Sequence, residues 1–407
     1  MTSRPELDRH LAEERRVYCG FDPTRASLTI GNLVSILLLR RFQLAGHKPV
    51  VVMGGGTGLI GDPSGKDAER QLLTPELVRQ NVAGQRPIFE RVLDFSGPHA
   101  ASIINNADWI EKLRYVDVLR DVGKHFSVNM MIQKDSVRAR LEEREHGISY
   151  TEFSYMILQA YDFAHLASAE QVTLQVGGSD QWGNIALGVD LTRRLHAREV
   201  FGLTTPLLTK SDGGKFGKTE QGAVWLTADG TSPYAFYQFW INAADEDVPR
   251  FLRVFSLRPL PEIERLLLEH GENPAQRTGQ QALAEELTTL LHGAEGLLAA
   301  QRATQALFSG DVTSLEPALL DEVFRGAPSV DLDPSLLGGD GLDVVDLLVL
   351  GEVAKSKREA RQYLASGAVS LNGERVSESQ RIGPSQLLHG RLILVRRGKK
   401  TWHVCRF

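Results

Sequence analysis

The strongest constraint on this chain is an alternation in its first half. Short apolar runs end in polar, glycine-rich segments and are separated by stretches of helical periodicity. Residues 17–21 read as a strand, 33–45 as a helix with apolar residues at helical spacing, and 49–53 as a second strand running into the glycines at 54–58. A further apolar run, 172–176, ends at Gly177-Gly178. Strands alternating with helices predict a mostly parallel sheet covered on both faces. Ligands of such sheets lie beyond the carboxyl ends of the strands, so the polar residues after Phe21, Met53 and Val176 are candidate site residues.

From about residue 232 the strand signals fade and helical patterns take over. The aromatic run 234–240 reads as core, and helices are expected at 261–270 and 274–291, each with proline near its start. Proline and glycine then gather before residue 342, which predicts a linker over 326–342. Beyond it the pattern gives a helix at 356–366, a short strand at 368–371, an Asn372-Gly373 turn, and a basic strand at 391–396.

At 407 residues the chain exceeds what one hydrophobic core usually organises. Its 42% apolar and 24% charged content is that of a soluble globular protein. Cys19 and Cys405 stand at opposite ends, with neither disulfide nor metal-ligand spacing, which fits a reducing, cytoplasmic compartment. The charged N-terminus is unlike a signal peptide, and no run approaches the roughly 20 apolar residues of a membrane span. The net charge of −5 is unevenly spread, because residues 343–407 carry 12 Lys plus Arg against 6 Asp plus Glu. A basic tail on an acidic body suits a polyanionic partner; an ordinary solvated face would look the same.

Two glycine motifs fail on inspection. Gly56-Thr57-Gly58-Leu59-Ile60-Gly61 matches the dinucleotide fingerprint, but turn residues Asp62-Pro63-Ser64-Gly65 follow where that fingerprint opens a helix. Gly217-Lys218-Thr219 resembles the end of a P-loop, yet Asp212 occupies the required glycine position. More informative is GGSDQWGN at 177–184, which sets Asp, Gln and Asn beside close-approach glycines. Tyr155, Gln159 and Asp162 fall at i, i+4 and i+7, one face of a helix whose other residues are largely apolar. A polar stripe without Lys, Glu or Arg points to a small polar ligand. Cations on glycine-rich loops, Lys66 and Arg70, then Lys210, Lys215 and Lys218, suit a departing phosphate chain.

Taken together, YCGFDPTRASLTIGNL (18–33), GGGTGLIGDPSGK (54–66), FSYMILQAYDF (153–163), GGSDQWGN and KFGKT (215–219) resemble the bacterial tyrosyl-tRNA synthetases in order and spacing. The similarity covers essentially the whole chain, and SKREARQYLASGAVSLNGERV near its end resembles an RNA-binding module first known from a small-subunit ribosomal protein. The resemblance implies an α/β fold: a Rossmann-like parallel-sheet nucleotide-binding domain (1–230), an α-helical anticodon-side domain (231–325), the linker, and a small α+β RNA-binding domain (343–407). It implies a class I ligase that activates L-tyrosine with ATP and charges tRNA(Tyr), working as a homodimer, with magnesium accompanying ATP and no protein-bound metal.

Residue by residue, the resemblance assigns Tyr18 and Asp162 to the substrate's phenolic hydroxyl. Asp62, Tyr155 and Gln159 would hold its ammonium group, and Gln181 its carboxylate. Cys19, Asn32, Ser35 and Asp180 would contact the ATP ribose, with Gly20 and Asp22 against the adenylate. Thr24, Lys66, Arg70, Lys215 and Lys218 would stabilise the pyrophosphate. The carboxylate nucleophile is already ionised, so the chemistry reduces to positioning and charge stabilisation. The signature HIGH appears as Thr29-Ile30-Gly31-Asn32. Asn32 can donate much as a histidine would, whereas Thr29 is shorter, and histidine at 29 is expected to speed adenylate formation. Members of the family carry a longer helical segment before the first strand than the 17 residues that precede Tyr18 here. A tryptophanyl synthetase would not need the Tyr18–Asp162 pair, a P-loop kinase would need glycine at 212, and a non-catalytic RNA-binding protein would not need the polar stripe.

Overall fold

A computed structural model describes residues 2–62, 72–134, 137–138, 141, 148–211, 213–214, 216–219, 222–309, 312–398 and 401–407. The chain divides into two compact units, one of residues 1–232 and 238–293, the other of 233–237 and 294–407.

The first unit is built on five parallel strands: β1 (Arg16–Phe21), β2 (Lys48–Met53), β3 (Ser102–Asn105), β4 (Val172–Gly178) and β5 (Phe201–Thr205). Their order is β3-β2-β1-β4-β5. The chain steps outward from β1 through β2 to β3, then returns to the other side of β1, so the order reverses between β1 and β4. A crevice opens at the carboxyl end of such a reversal. Parallel registry sets Phe21 beside Met53 and Met53 beside Asn105, which levels the three strand ends. Residues 22, 54 and 106 therefore begin loops at one edge.

Helices α1 (Arg4–His10), α2 (Ile30–Leu44), α3 (Pro75–Val92), α4 (Tyr150–Ala169) and α5 (Trp182–His196) accompany the sheet. Apolar residues of α2 at helical spacing, Leu33, Ile36, Leu37 and Leu39, are wholly buried. Ser149 caps α4 by accepting from the Glu152 N–H. Close approach of α4 and α5 depends on Gly188, where a Cβ would sit 3.0 Å from the Phe163 ring. Phe163 also packs edge-on to Tyr18, with ring centroids 5.2 Å apart, and shares a buried cluster with Val50, Val52 and Leu166.

The rest of this unit includes the end of α6 (Pro233–Ile241), α7 (Val248–Phe255), α8 (Leu260–Glu272) and the first part of α9 (Thr278–Ser309). The aromatic run behaves as core: Trp240 is fully buried, and Phe216, Phe239, Phe251 and Phe255 surround it. A helix expected over 274–291 opens instead with one 3-10 turn, Pro274–Gln276, and a left-handed Arg277, so the α-helix begins at Thr278. It breaks at Gly293, whose φ of 76° and ψ of 174° no helix accommodates. That break, where the two units divide, falls inside the stretch 231–325 assigned from sequence to a single helical domain.

In the second unit the expected linker is structured. Strand β8 (Ser329–Asp331) pairs parallel with β14 (Thr401–Arg406), completing a sheet ordered β11-β10-β13-β14-β8. Its members are β10 (Val369–Leu371), β11 (Glu374–Arg375) and β13 (Leu392–Arg397), and a separate ribbon joins β9 (Leu342–Asp343) to β12 (Arg381–Ile382). Proline and glycine at 326–342 mark the turns around β8, and Leu337 between them is buried. Three residues pairing across some seventy others leave no periodicity to read. Helices α10 (Pro317–Val323), α11 (Val344–Leu350) and α12 (Lys357–Ala365) cover this sheet's unit, with Ser356 capping α12. Asn372 and Gly373 both take positive φ, 49° and 91°, as the tight turn between β10 and β11 requires.

Candidate active site

Along the carboxyl edge of β1 the polar residues gather in three groups. The deepest holds Tyr18, from β1, and Asp162, from α4, with 1% and 5% of their surfaces exposed. Asp162 is held by two donors: the Trp109 indole N–H meets Oδ1 at 2.7 Å, and the Asn106 amide meets Oδ2 at 2.8 Å. Asn106 is fixed in turn, donating to Thr57 Oγ1 at 2.9 Å and accepting from the Gly56 N–H at 2.8 Å. Burial pushes the Asp162 carboxyl up to about 7, although both donated bonds pull it down. Burial, and then the neighbouring Asp162 charge, raise the Tyr18 phenol well above its ordinary value, so it stays protonated. Among the described residues the buried Tyr18 hydroxyl has no hydrogen-bond partner. A hydroxyl presented to this pair could donate to Asp162 and accept from Tyr18.

The second group centres on Gln181, just after β4. Its Nε2 donates to Asp62 Oδ2 at 2.7 Å and to Asp180 Oδ2 at 3.2 Å, while its Oε1 accepts from Gln159 Nε2 at 3.2 Å. Asn184 donates to Gln159 Oε1 at 2.9 Å, which fixes the orientation of both glutamines. The Tyr155 hydroxyl donates to Asp22 Oδ1 at 3.3 Å, tying α4 to the loop after β1. With Asp62 buried, this group presents carboxylate and amide oxygens suited to an ammonium ion, and an amide N–H suited to a carboxylate.

The third group lies where β1 opens. Gly20 is exposed within an otherwise buried strand end, and a Cβ there would meet no atom within 4 Å. Burial pushes the Cys19 thiol up to about 12, so it stays neutral, and its Sγ donates weakly to the Gly20 carbonyl oxygen at 3.7 Å. Gly54 is required by close packing, since a Cβ would come within 2.8 Å of Thr57 Oγ1 and 3.1 Å of Asp22 Oδ1. Thr24 and Asp180 are exposed, and Ser35 is half-buried. Thr29 and Asn32 flank the start of α2 and bond to each other. Lys218 is exposed on the two-residue strand β6 (Lys218–Thr219), which pairs with β7 (Gly222–Ala223). Lys66, Arg70 and Lys215 lie outside the described residues.

Two polar groups of this network escaped the sequence reading, Asn106 and Trp109; Thr57 and Asn184 fall in segments it singled out, GGGTGLIGDPSGK and GGSDQWGN, without an assigned role. Asn106 follows β3, so the rule that selects residues after strand ends would have found it. Residues 102–105 are too few to announce a strand. No group of three or more His, Cys, Asp or Glu suited to a metal ion occurs among the described residues.

Residues 11–309 match the family described as tRNA synthetases class I (W and Y), and 320–405 match the tyrosine–tRNA ligase SYY-like C-terminal domain. The chain is 50% identical to the tyrosine–tRNA ligase of Aliivibrio fischeri strain MJ11, over 99% of this chain and 94% of that protein. It is 52% identical to the Aeromonas hydrophila tyrosine–tRNA ligase, over 97% and 92%. Among solved structures, the C-terminally truncated Aspergillus nidulans mitochondrial tyrosyl-tRNA synthetase aligns with a TM-score of 0.67 at 29% identity, covering 75% of this chain and 90% of that one.

Proposed function

This chain belongs to the class I tyrosyl-tRNA synthetase family, and from that premise we propose that it activates L-tyrosine with ATP and transfers the tyrosyl group to the 3′-terminal adenosine of tRNA(Tyr). The observation that carries the choice of amino acid is the buried pair Tyr18 and Asp162, with both carboxylate oxygens of Asp162 already held by Asn106 and Trp109. A phenol completes the pair; a phenyl ring leaves a buried carboxylate and a buried hydroxyl without it, at a cost of about 1–3 kcal/mol or more.

In this reading Asp62, Tyr155 and Gln159 take the ammonium group, and Gln181 turns its amide toward the substrate carboxylate. One carboxylate oxygen attacks the α-phosphorus of ATP, the bond to the bridging oxygen breaks, and pyrophosphate leaves with the electron pair. No proton moves in that step, so these side chains work by orientation and by matching charge. Cys19, Ser35, Asn32 and Asp180 border the ribose, and Gly20 and Asp22 the adenylate. Thr24 and Lys218 serve the departing phosphates, a role the sequence pattern extends to Lys66, Arg70 and Lys215. A ribose hydroxyl of the tRNA then attacks the acyl carbon, and the bond from that carbon to the phosphate oxygen breaks. AMP leaves with the electron pair, while the hydroxyl proton passes to a phosphate oxygen of the leaving AMP or to water. Magnesium would arrive on the triphosphate, whose oxygens are its preferred donors.

The basic segment 343–407 fits a grip on tRNA phosphates, residues 1–230 the chemistry, and 231–325 the anticodon side. A homodimer is favoured by an exposed apolar stretch in the first unit: Tyr115, Val116, Leu119, Val128, Ile132 and Tyr150. The Tyr115 and Tyr150 hydroxyls lie 3.3 Å apart, so part of this stretch is contiguous. No described helix is long and apolar enough to cross a membrane, and the cytoplasm is where the proposed substrates meet.

Pyrophosphate exchange into ATP, run with each amino acid in turn, tests the reading. Exchange with tyrosine alone supports it; exchange with tryptophan, or with none, overturns it.

A further inference from the structure

Thr29 precedes the first turn of α2 in extended conformation, with φ of −94° and ψ of 166°. Its backbone N–H donates to Asn32 Oδ1 at 3.0 Å, and its hydroxyl donates to the same oxygen at 2.9 Å. The orientation of the Asn32 amide follows from the first bond alone. A backbone N–H can only donate, so the atom facing it must be the oxygen, and Nδ2 must face away from Thr29. Asn32 Nδ2 makes no hydrogen bond to any described residue, and Asn32 is half-buried.

Thr29 is itself immobilised on its other side. It pairs with Trp225 in an isolated bridge, the Ile30 N–H donates to Val224 O at 2.9 Å, and the Leu226 N–H donates to Leu28 O at 2.9 Å. Those bonds stitch the start of α2 to the strand-like segment beyond the Lys215–Thr219 motif. A β-branched side chain on such a backbone has little χ1 freedom. Its one hydroxyl proton is committed to Asn32 and is not available to a phosphate.

We propose that Thr29 is a positioning residue and not a phosphate contact: it clamps the Asn32 amide so that Nδ2 is presented as a donor to ATP, and the two residues act as one unit. This rests on the reading that Asn32 touches ATP. Two histidines would each carry a donor independently; threonine and asparagine here divide the work, one aiming and one donating. Histidine introduced at position 29 alone therefore removes half of the clamp, and slows adenylate formation where the sequence reading expects a gain.

The test is the single-turnover rate of tyrosyl-adenylate formation in the full chain, measured against ATP concentration alongside tyrosine affinity and Tm. Thr29→Val, which keeps shape and loses the hydroxyl, is expected to slow the step roughly tenfold, the size of one net hydrogen bond, with tyrosine affinity unchanged. Thr29→Ser restores the rate. Asn32→Asp keeps an oxygen for both Thr29 donors and lacks Nδ2, so Tm holds while the rate falls to that of Asn32→Ala. In the Asn32→Ala background, Thr29→Val has no further effect on the rate. A wild-type rate for Asn32→Ala overturns the reading of Asn32 as an ATP contact. A slow Asn32→Ala with a wild-type Thr29→Val, or with additive losses in the double variant, overturns the clamp alone.

Discussion

Asp162 shows how one residue's environment sets both its role and its cost. Burial holds its carboxyl up at about 7. A folded-state value above the unfolded one means that the native protein binds the extra proton between about pH 4 and 7. Whatever stability Asp162 contributes is thus present at low pH and is lost as pH rises through 7. Asparagine does not titrate, so the Tm of the wild type relative to Asp162→Asn should fall between pH 5 and pH 8; a constant difference would show that Asp162 does not titrate there. Activity runs the other way. In the proposed role the ionised form accepts from the substrate hydroxyl, so kcat/KM for tyrosine should weaken as pH drops below 7. Of the residues in this pocket, the stripe Tyr155, Gln159 and Asp162 was legible because helical spacing places it on one face. The donors to Asp162 were not, since Asn106 and Trp109 reach it across more than fifty residues and no local period encodes that meeting.

Among the elements, those with an internal period were legible and those made by distant pairing were not. Strands β1 and β2 and helices α2, α4 and α12 carry their own apolar pattern. β8 exists because β14 offers it a partner, and β14 itself mixes Trp402, His403 and Cys405 in a run that does not alternate cleanly. Within KFGKT, Phe216 is set by packing. Phe216 lies with ring centroids 5.0 Å from Phe251 and 5.3 Å from Phe255, both on α7, and the Ser211 N–H donates to the buried Asp247 just before that helix. Arg41 of α2 donates to three carbonyls at the end of α7, Arg253, Val254 and Ser256. One short helix thereby holds Phe216, Ser211 and α2, the helix that opens with the Thr29–Asn32 pair, together. Phe216→Leu keeps apolar bulk but loses the ring contacts, each worth about 0.5–1.5 kcal/mol. Adenylate formation should slow several-fold with tyrosine affinity intact; an unchanged rate would mean that the loop positions its lysines without this socket.

At the scale of the whole molecule, the proposed function puts adenylate chemistry and the grip on RNA in separate units. The second unit has its own cores, one around Leu347, Leu348, Val369 and Ile393, another around Ala303, Leu320, Leu394 and Val404. A chain cut near Gly338 would split both, because β8 and α10 precede the cut and their partners follow it. Charge reversal is the cleaner probe. Arg358 on α12 and Arg375 on β11 are exposed, and Arg358→Glu with Arg375→Glu should weaken tRNA binding, flatten its salt dependence and leave pyrophosphate exchange untouched. Unaltered tRNA affinity would place the grip elsewhere. Everything upstream of tRNA turns on whether the buried pair at the floor of the first unit chooses the amino acid. The direct measurement is kcat/KM in pyrophosphate exchange for tyrosine and for phenylalanine, in the wild type and in Asp162→Ala. The account predicts a large preference for tyrosine that shrinks in the variant, chiefly through loss of tyrosine activation. A ratio that Asp162→Ala leaves unchanged would contradict it.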